Sequence, residues 1–114
     1  MTEKTKDAIL NSILHHERMQ KWVKIQNKND MPEEHLMRAG INENWYSRYC
    51  DLCLLFKCEC GECPLGIKFG RCGNVISKNK NAWNSLALSI TWKQWLKWDK
   101  KLVKQLKSLL RDYK

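Results

Sequence analysis

All six cysteines of this 114-residue chain lie between Cys50 and Cys72. Four of them form the pairs Cys50-x-x-Cys53 and Cys60-x-x-Cys63, and Cys58 and Cys72 remain. At this spacing a tight turn directs two thiolates at one ion, so two such turns supply the tetrahedral shell of a structural zinc. Six residues separate the pairs. The gap in a zinc ribbon is about 15–20 residues, which makes the expected unit a compact clip. Cys72 precedes Gly73, whose freedom lets the backbone turn back toward a metal, so Cys72 can replace a member of the second pair. The candidate ligands are therefore Cys50, Cys53, Cys60, Cys63 and Cys72. Cys63-Pro64 also fits the Cys-Pro that closes some iron–sulfur motifs, and an iron–sulfur cluster is the alternative cofactor to zinc.

The cellular compartment bears on that choice. Glu3, Lys4, Lys6, Asp7, Glu17 and Arg18 break up any apolar leader in the first twenty residues. No apolar run approaches the ~18 residues of a membrane span. The expectation is an unexported cytoplasmic protein, where clustered thiols bind metal more readily than they form disulfides.

The rest of the chain reads as helix, and a chain of this length closes one modest core. The expected fold is mainly α: a single domain, 1–114, with N-terminal helices over 1–49, a metal-binding knuckle over 50–73 and basic C-terminal helices over 74–114. Ile9, Leu10, Ile13, Leu14, Trp22, Val23 and Ile25 recur at helical spacing and predict an amphipathic helix from Lys4 to about Lys28. Pro32-Glu33-Glu34 suits the first turn of a short second helix, with Gly40 as its stop. Trp45, Tyr46 and Tyr49 are large enough to cover a metal clip. Ile67–Phe69 has the pattern of a short strand.

Ala82–Ser89 reads as a short helix, and Thr91-x-x-Gln94 as the capping box of a longer one. On that last helix Trp92, Trp95, Leu102, Val103, Leu106, Leu109, Leu110 and Tyr113 fall on one side. Lys93, Lys97, Lys100, Lys101, Lys104, Lys107 and Arg111 fall on the other, within a stripe of about 120°. Asp99 projects into the apolar side, where an unpaired carboxylate is costly. It therefore requires a donor, either an indole or tyrosine group or a His or Arg from the first helix.

Charge follows the same division. Residues 74–114 carry ten Lys or Arg against two Asp or Glu, whereas the rest of the chain is nearly balanced, within a net charge of +9. A concentrated positive field attracts an acidic protein surface or phosphates. The candidate partner-binding residues are Lys97, Lys101, Lys104, Lys107 and Arg111. Lysine dominates the stripe, which disfavours the bidentate base reading that arginine provides.

Catalysis finds little footing in the sequence. His15-His16-Glu17 with Cys60-x-x-Cys63 imitates the halves of a zinc-deaminase signature. The proline follows the second cysteine instead of preceding the first, and no set of strands is available to carry such a site. The expectation is a non-enzymatic protein with no catalytic residues.

The order His16, Arg18-Met19 and Trp22, then Trp45, Cys50-x-x-Cys53, Cys60-x-x-Cys63-Pro64-Leu65, Cys72 and Thr91-Trp92-x-x-Trp95 resembles small cysteine-rich proteins encoded by bacteriophages. Cys58 is an addition to that pattern. The resemblance implies an accessory protein of the host-cell cytoplasm that binds and inhibits or redirects a host component, such as a defence system. An acidic host protein is the expected partner. Binding of nucleic acid or a nucleotide signal by the basic helix and the tryptophans is the alternative.

Overall fold

Thr2 starts the first helix: its hydroxyl accepts the Thr5 amide at 3.2 Å and so satisfies one of the donors that a helix start leaves open. The computed structural model describes residues 2–46, 49–57, 59, 61–70 and 81–112. Six helices lie within them: α1 (Glu3–Val23), α2 (Glu34–Ile41), α3 (Asp51–Leu55), α4 (Pro64–Phe69), α5 (Ala82–Ala87) and α6 (Trp92–Asp112). Among the described residues there is no strand. The chain is mainly α.

α1 stops at Val23, short of the Lys28 expected from sequence. The amides of Ile25 and Gln26 bond three residues back, to Trp22 and Val23, which tightens the final turn. The chain then turns toward α6. The Asp30 carbonyl accepts the Trp92 amide at 2.9 Å and the Lys28 carbonyl accepts the Lys93 amide at 3.1 Å. Thr91 Oγ1 accepts the Gln94 amide at 3.2 Å, so the first three amides of α6 are all paired. The returning arm of the expected capping box is shifted: Gln94 Oε1 accepts from the amide of Ile90 instead of Thr91.

Gly40 is not the stop of α2. Asn42 ends that helix in the left-handed conformation, φ 57°, with its amide bonded to the Arg38 carbonyl. Gly40 lies inside the helix, where a Cβ would sit 2.5 Å from Trp22 Nε1. Glycine is there because an indole crosses the helix. The strand expected over Ile67–Phe69 is the end of α4. Pro64 presets the first helical turn, and the Cys63 and Gly66 carbonyls accept the amides of Ile67 and Gly70.

α1 and α6 run antiparallel, as their buried residues show. Ala8, Ile9 and Ile13 share one cluster with Leu102, Val103, Leu106 and Leu109, joined by Leu52, Cys63, Leu65 and Ala82. Met19 and Val23 share the other with Trp92 and Trp95, joined by Met37, Trp45 and Leu86. Cysteine residues therefore lie at one end of the helix pair and tryptophans at the other. Trp45 belongs to the tryptophan end, its ring centre 5.7 Å from that of Trp95, and does not cover the cysteines as expected.

The buried side of α1 also differs from the expected apolar stripe. Leu10 and Leu14 are 41% and 52% exposed, and Ile25, beyond the helix, is 79% exposed. Ser12, His15 and His16 are buried in their place. Each has a polar partner on a neighbouring element, so hydrogen bonding decides this face as much as hydrophobicity does.

Replacing Leu102 or Leu106 by alanine is expected to cost about 2–5 kcal/mol, since both are buried in the cluster between α1 and α6. Gly40→Ala is expected to cost about 1–3 kcal/mol by overpacking against Trp22. Urea or thermal denaturation of the three variants measures this. Unchanged stability of Gly40→Ala would show that the indole moves aside freely.

Candidate functional site

Asp99 lies halfway along the helix pair, between the cysteine and tryptophan ends, and is fully buried. His16 Nδ1 donates to its Oδ1 at 2.5 Å and Gln20 Nε2 to its Oδ2 at 2.7 Å. Both donors come from α1 at i and i+4, the spacing that places two side chains on one face. A histidine of the first helix is among the partners that the sequence calls for. Burial pushes the His16 pKa down, but the charge and hydrogen bond of Asp99 more than offset this, and the net shift is upward.

His15, the next residue, is buried against the edge of the His16 ring. Its Nδ1 lies 2.9 Å from Glu43 Oε1, and Arg18 grips the same carboxylate through Nε at 2.7 Å and Nη2 at 2.5 Å. Arg18, and then His15, hold the Glu43 pKa below its ordinary range against the opposing effect of burial. For His15 burial dominates, and its pKa is lowered. Sequence reading singled out His15 only as half of an imitation signature. Nothing in the helical pattern announces its pairing with Glu43, 28 residues away.

Three of the five candidate metal ligands are described. Cys50 is the N-cap residue of α3, Cys53 lies within that helix, and Cys63 is the N-cap residue of α4. Cys63 is buried in the cluster against which Cys50 packs. The Leu52 amide donates to Ser12 Oγ at 3.2 Å, which leaves the Ser12 hydroxyl hydrogen for Cys50 Sγ at 3.4 Å. The Cys50 thiol is held well below its ordinary pKa. The Cys53 thiol contributes most to this, burial opposes it, and the Ser12 hydroxyl and the His16 charge add to it. Thiolate is the form that binds metal. Among the described residues, no three His, Cys, Asp or Glu side chains form a group that could hold a metal ion. Cys60, Cys72 and the additional Cys58 lie outside the described residues.

Lys93, Lys97, Lys100, Lys101, Lys104, Lys107 and Arg111 are all exposed on α6. Among the described residues none of them is in an ion pair; the acid beside them, Asp112, is held by Lys68 at 2.6 Å. The ammonium groups of Lys97 and Lys101 lie 5.3 and 5.2 Å from the centre of the half-buried Trp98 ring, one from each side of the helix face. Toward its start α6 borders a groove of about 450 Å³, and Lys24 and Lys28 form the opposite wall. Sequence reading missed these two. Their i, i+4 spacing was visible, but their relation to α6 follows from the antiparallel packing of the helices.

Comparison with known proteins finds no matching family model, no matching curated protein and no matching solved structure.

The raised His16 pKa sets a pH dependence. Its contribution to stability is full below the ordinary histidine value of about 6.5 and is lost as pH rises through the higher folded value. The groups acting on it are Asp99 from α6, Cys50 at the start of α3 and Glu43 beyond α2. The stability advantage of the native chain over His16→Gln should therefore be largest below about pH 6.5 and shrink as pH rises above it, as measured by urea denaturation across a pH series. His15 acts in the opposite sense, losing stability as pH falls below about 6.5, so the difference between the two chains is the quantity to follow. An advantage that grows with pH would mean that His16 is neutral in the folded state.

Proposed function

We propose that this chain is a small zinc-stapled, non-enzymatic interaction protein, a phage accessory protein of the host cytoplasm that docks on an acidic host protein and inhibits or redirects it. The observation that carries this reading is the α6 surface: seven exposed cations, none in an ion pair among the described residues. On an ordinary solvated helix, oppositely charged neighbours at i, i+3 or i, i+4 are the usual means of offsetting such charges. Along α6 Asp99 is buried and Asp112 is engaged by Lys68, so the helix has no free acid of its own beside these cations and leaves them open to an acidic partner.

The docking surface consists of Lys97, Lys101, Lys104, Lys107 and Arg111. Trp98 lies between Lys97 and Lys101 and gives it an apolar anchor. Zinc is the cofactor that suits the cysteines. The Cys50 and Cys53 thiols already interact, Cys63 is in the same region, and so small a core gains from a metal staple. With Cys60 and Cys72 the Cys50–Cys53 pair would make four.

Two measurements test this reading. The purified chain should contain about one zinc and lose helicity on treatment with a strong chelator. Brown protein containing iron and sulfide would replace zinc by an iron–sulfur cluster. Lys104→Glu with Lys107→Glu should leave the fold intact, because solvated lysines contribute little to stability. The same pair should weaken capture of the host partner, mainly through slower association and with strong salt dependence. Loss of the captured protein on adding excess unrelated DNA would favour nucleic-acid binding. Unchanged capture by the folded double variant would reduce the stripe to a solvated face.

A further inference from the structure

We propose that the groove between the end of α1 and the first half of α6 binds a small oligophosphate, a compound carrying two or more linked phosphate groups. This goes beyond protein docking, whose surface shares only Lys97 with the groove. Five of the eight residues lining the groove are lysines, and no carboxylate lines it. They come from three backbone segments: Lys24 caps α1, Lys28 follows in the loop, and Lys93, Lys97 and Lys100 lie on α6. Like charges that converge on a concavity add their fields there, and the repulsion among them is relieved by one anion of several charges. A singly charged anion relieves little of it.

The walls are set in place before any ligand arrives. The hydrogen bond from the Lys93 amide to the Lys28 carbonyl joins one wall to the other through backbone, and the Trp92 to Asp30 bond lies beside it. Beneath them the Trp22 and Trp92 rings meet edge to face at 5.4 Å. The backbone of the site therefore loses little freedom on binding, and the cost that remains is the ordering of the lysine side chains.

The lining also decides which part of a ligand is read. Val23 and Trp92 are each only 3% exposed, so the indole offers no open face for a base to stack on. Apart from lysine, no polar side chain lines the groove to bond a base edge. Lysine ammonium groups act as rotatable point charges suited to phosphate oxygens. The volume, about 450 Å³, is that of a small-ligand site. An amphipathic peptide helix needs a row of open apolar anchors, and here only Leu96 is both apolar and partly exposed. Lys97 stands at the rim, its ammonium 5.3 Å from the Trp98 ring centre.

Isothermal titration calorimetry of the full chain at about 0.1 M salt, with inorganic tripolyphosphate, ATP and AMP as probes, tests the proposal. Tripolyphosphate and ATP should each bind one per chain with affinities within about threefold, and AMP should bind at least about tenfold more weakly. The double variants Lys24→Gln/Lys28→Gln and Lys93→Gln/Lys100→Gln should each lose about tenfold or more in tripolyphosphate affinity. Lys104→Gln/Lys107→Gln removes the same charge outside the groove and should stay within about twofold of the native chain. Circular dichroism and melting confirm that each variant is folded. Equal losses in all three double variants would overturn the proposal in favour of a diffuse field. Tight ATP binding without tripolyphosphate binding would overturn recognition through the phosphate chain. A hexaglutamate peptide binding more tightly than tripolyphosphate would assign the groove to acidic protein segments instead.

Discussion

The carboxylate of Asp99 has no access to water, and everything around it is arranged to make that tolerable. An ionised carboxylate moved into a protein interior loses several kcal/mol of hydration, which only good partners recover. His16 supplies a charge and a short donor, Gln20 supplies a second donor, and the two cover both oxygens. These partners exist in one alignment of α1 against α6. A slip of one turn would put Ser12 or Lys24 where His16 or Gln20 now stands, so only one of the two present donors would still reach the carboxylate. The Leu, Ile and Val contacts of the cluster on one side would resist such a slip less strongly, while Trp45, Trp92 and Trp95 on the other side add to the resistance. The polar layer therefore helps to fix the register, and the register places Cys50 and Cys63 at one end and Trp45, Trp92 and Trp95 at the other.

What was legible in the sequence follows from how local each determinant is. The apolar and basic sides of α6 were readable because seventeen consecutive positions, Lys93 to Leu109, obey one period, and every expected buried residue from Trp92 to Leu109 is buried. The need of Asp99 for a partner was readable because a lone acid in an apolar stripe is a local contradiction, and a histidine of the first helix was one of the partners it allowed. The inward side of α1 was readable only in part: Ile9, Ile13 and Val23 are buried as expected. Leu10 and Leu14 carry the stronger hydrophobic signal, yet Ser12, His15 and His16 face inward, each held by a residue 28 to 83 positions away. Gly40 misled for the same reason: a glycine near a helix end reads as a stop, and only the position of Trp22 shows that it is a passage for an indole. Of the cysteine pattern, Cys50, Cys53 and Cys63 fall where the fold can be described, and Cys60 and Cys72 do not.

The cysteine end is coupled to this polar layer. Ser12 joins Cys50 to α1 directly and accepts the Leu52 amide, so the start of α3 and one cysteine pair are fixed by a single serine on the buried face of α1. His16, one turn further on, carries a positive charge that favours the thiolate of Cys50. The same histidine thus stabilises a carboxylate on one side and a thiolate on another. Both anions favour the charged form of the histidine, so the thiol and the carboxylate are coupled through it.

The basic surface raises a different question, whether one helix can serve both a groove and a docking stripe. Lys93 and Lys107 lie about 21 Å apart along the axis at 1.5 Å per residue. At physiological ionic strength the screening length is about 8 Å, so exposed charges at that separation scarcely interact. A multivalent anion seated near Lys93 and Lys28 would neutralise its own end of the helix and leave the potential near Lys107 and Arg111 almost unchanged. Occupants of the two ends would compete only through Lys97, which lines the groove and also flanks Trp98. At low salt the screening length exceeds the separation and the two ends act as one field. Coupling between the sites is therefore a property of the solution as much as of the fold, and it grows as salt is removed.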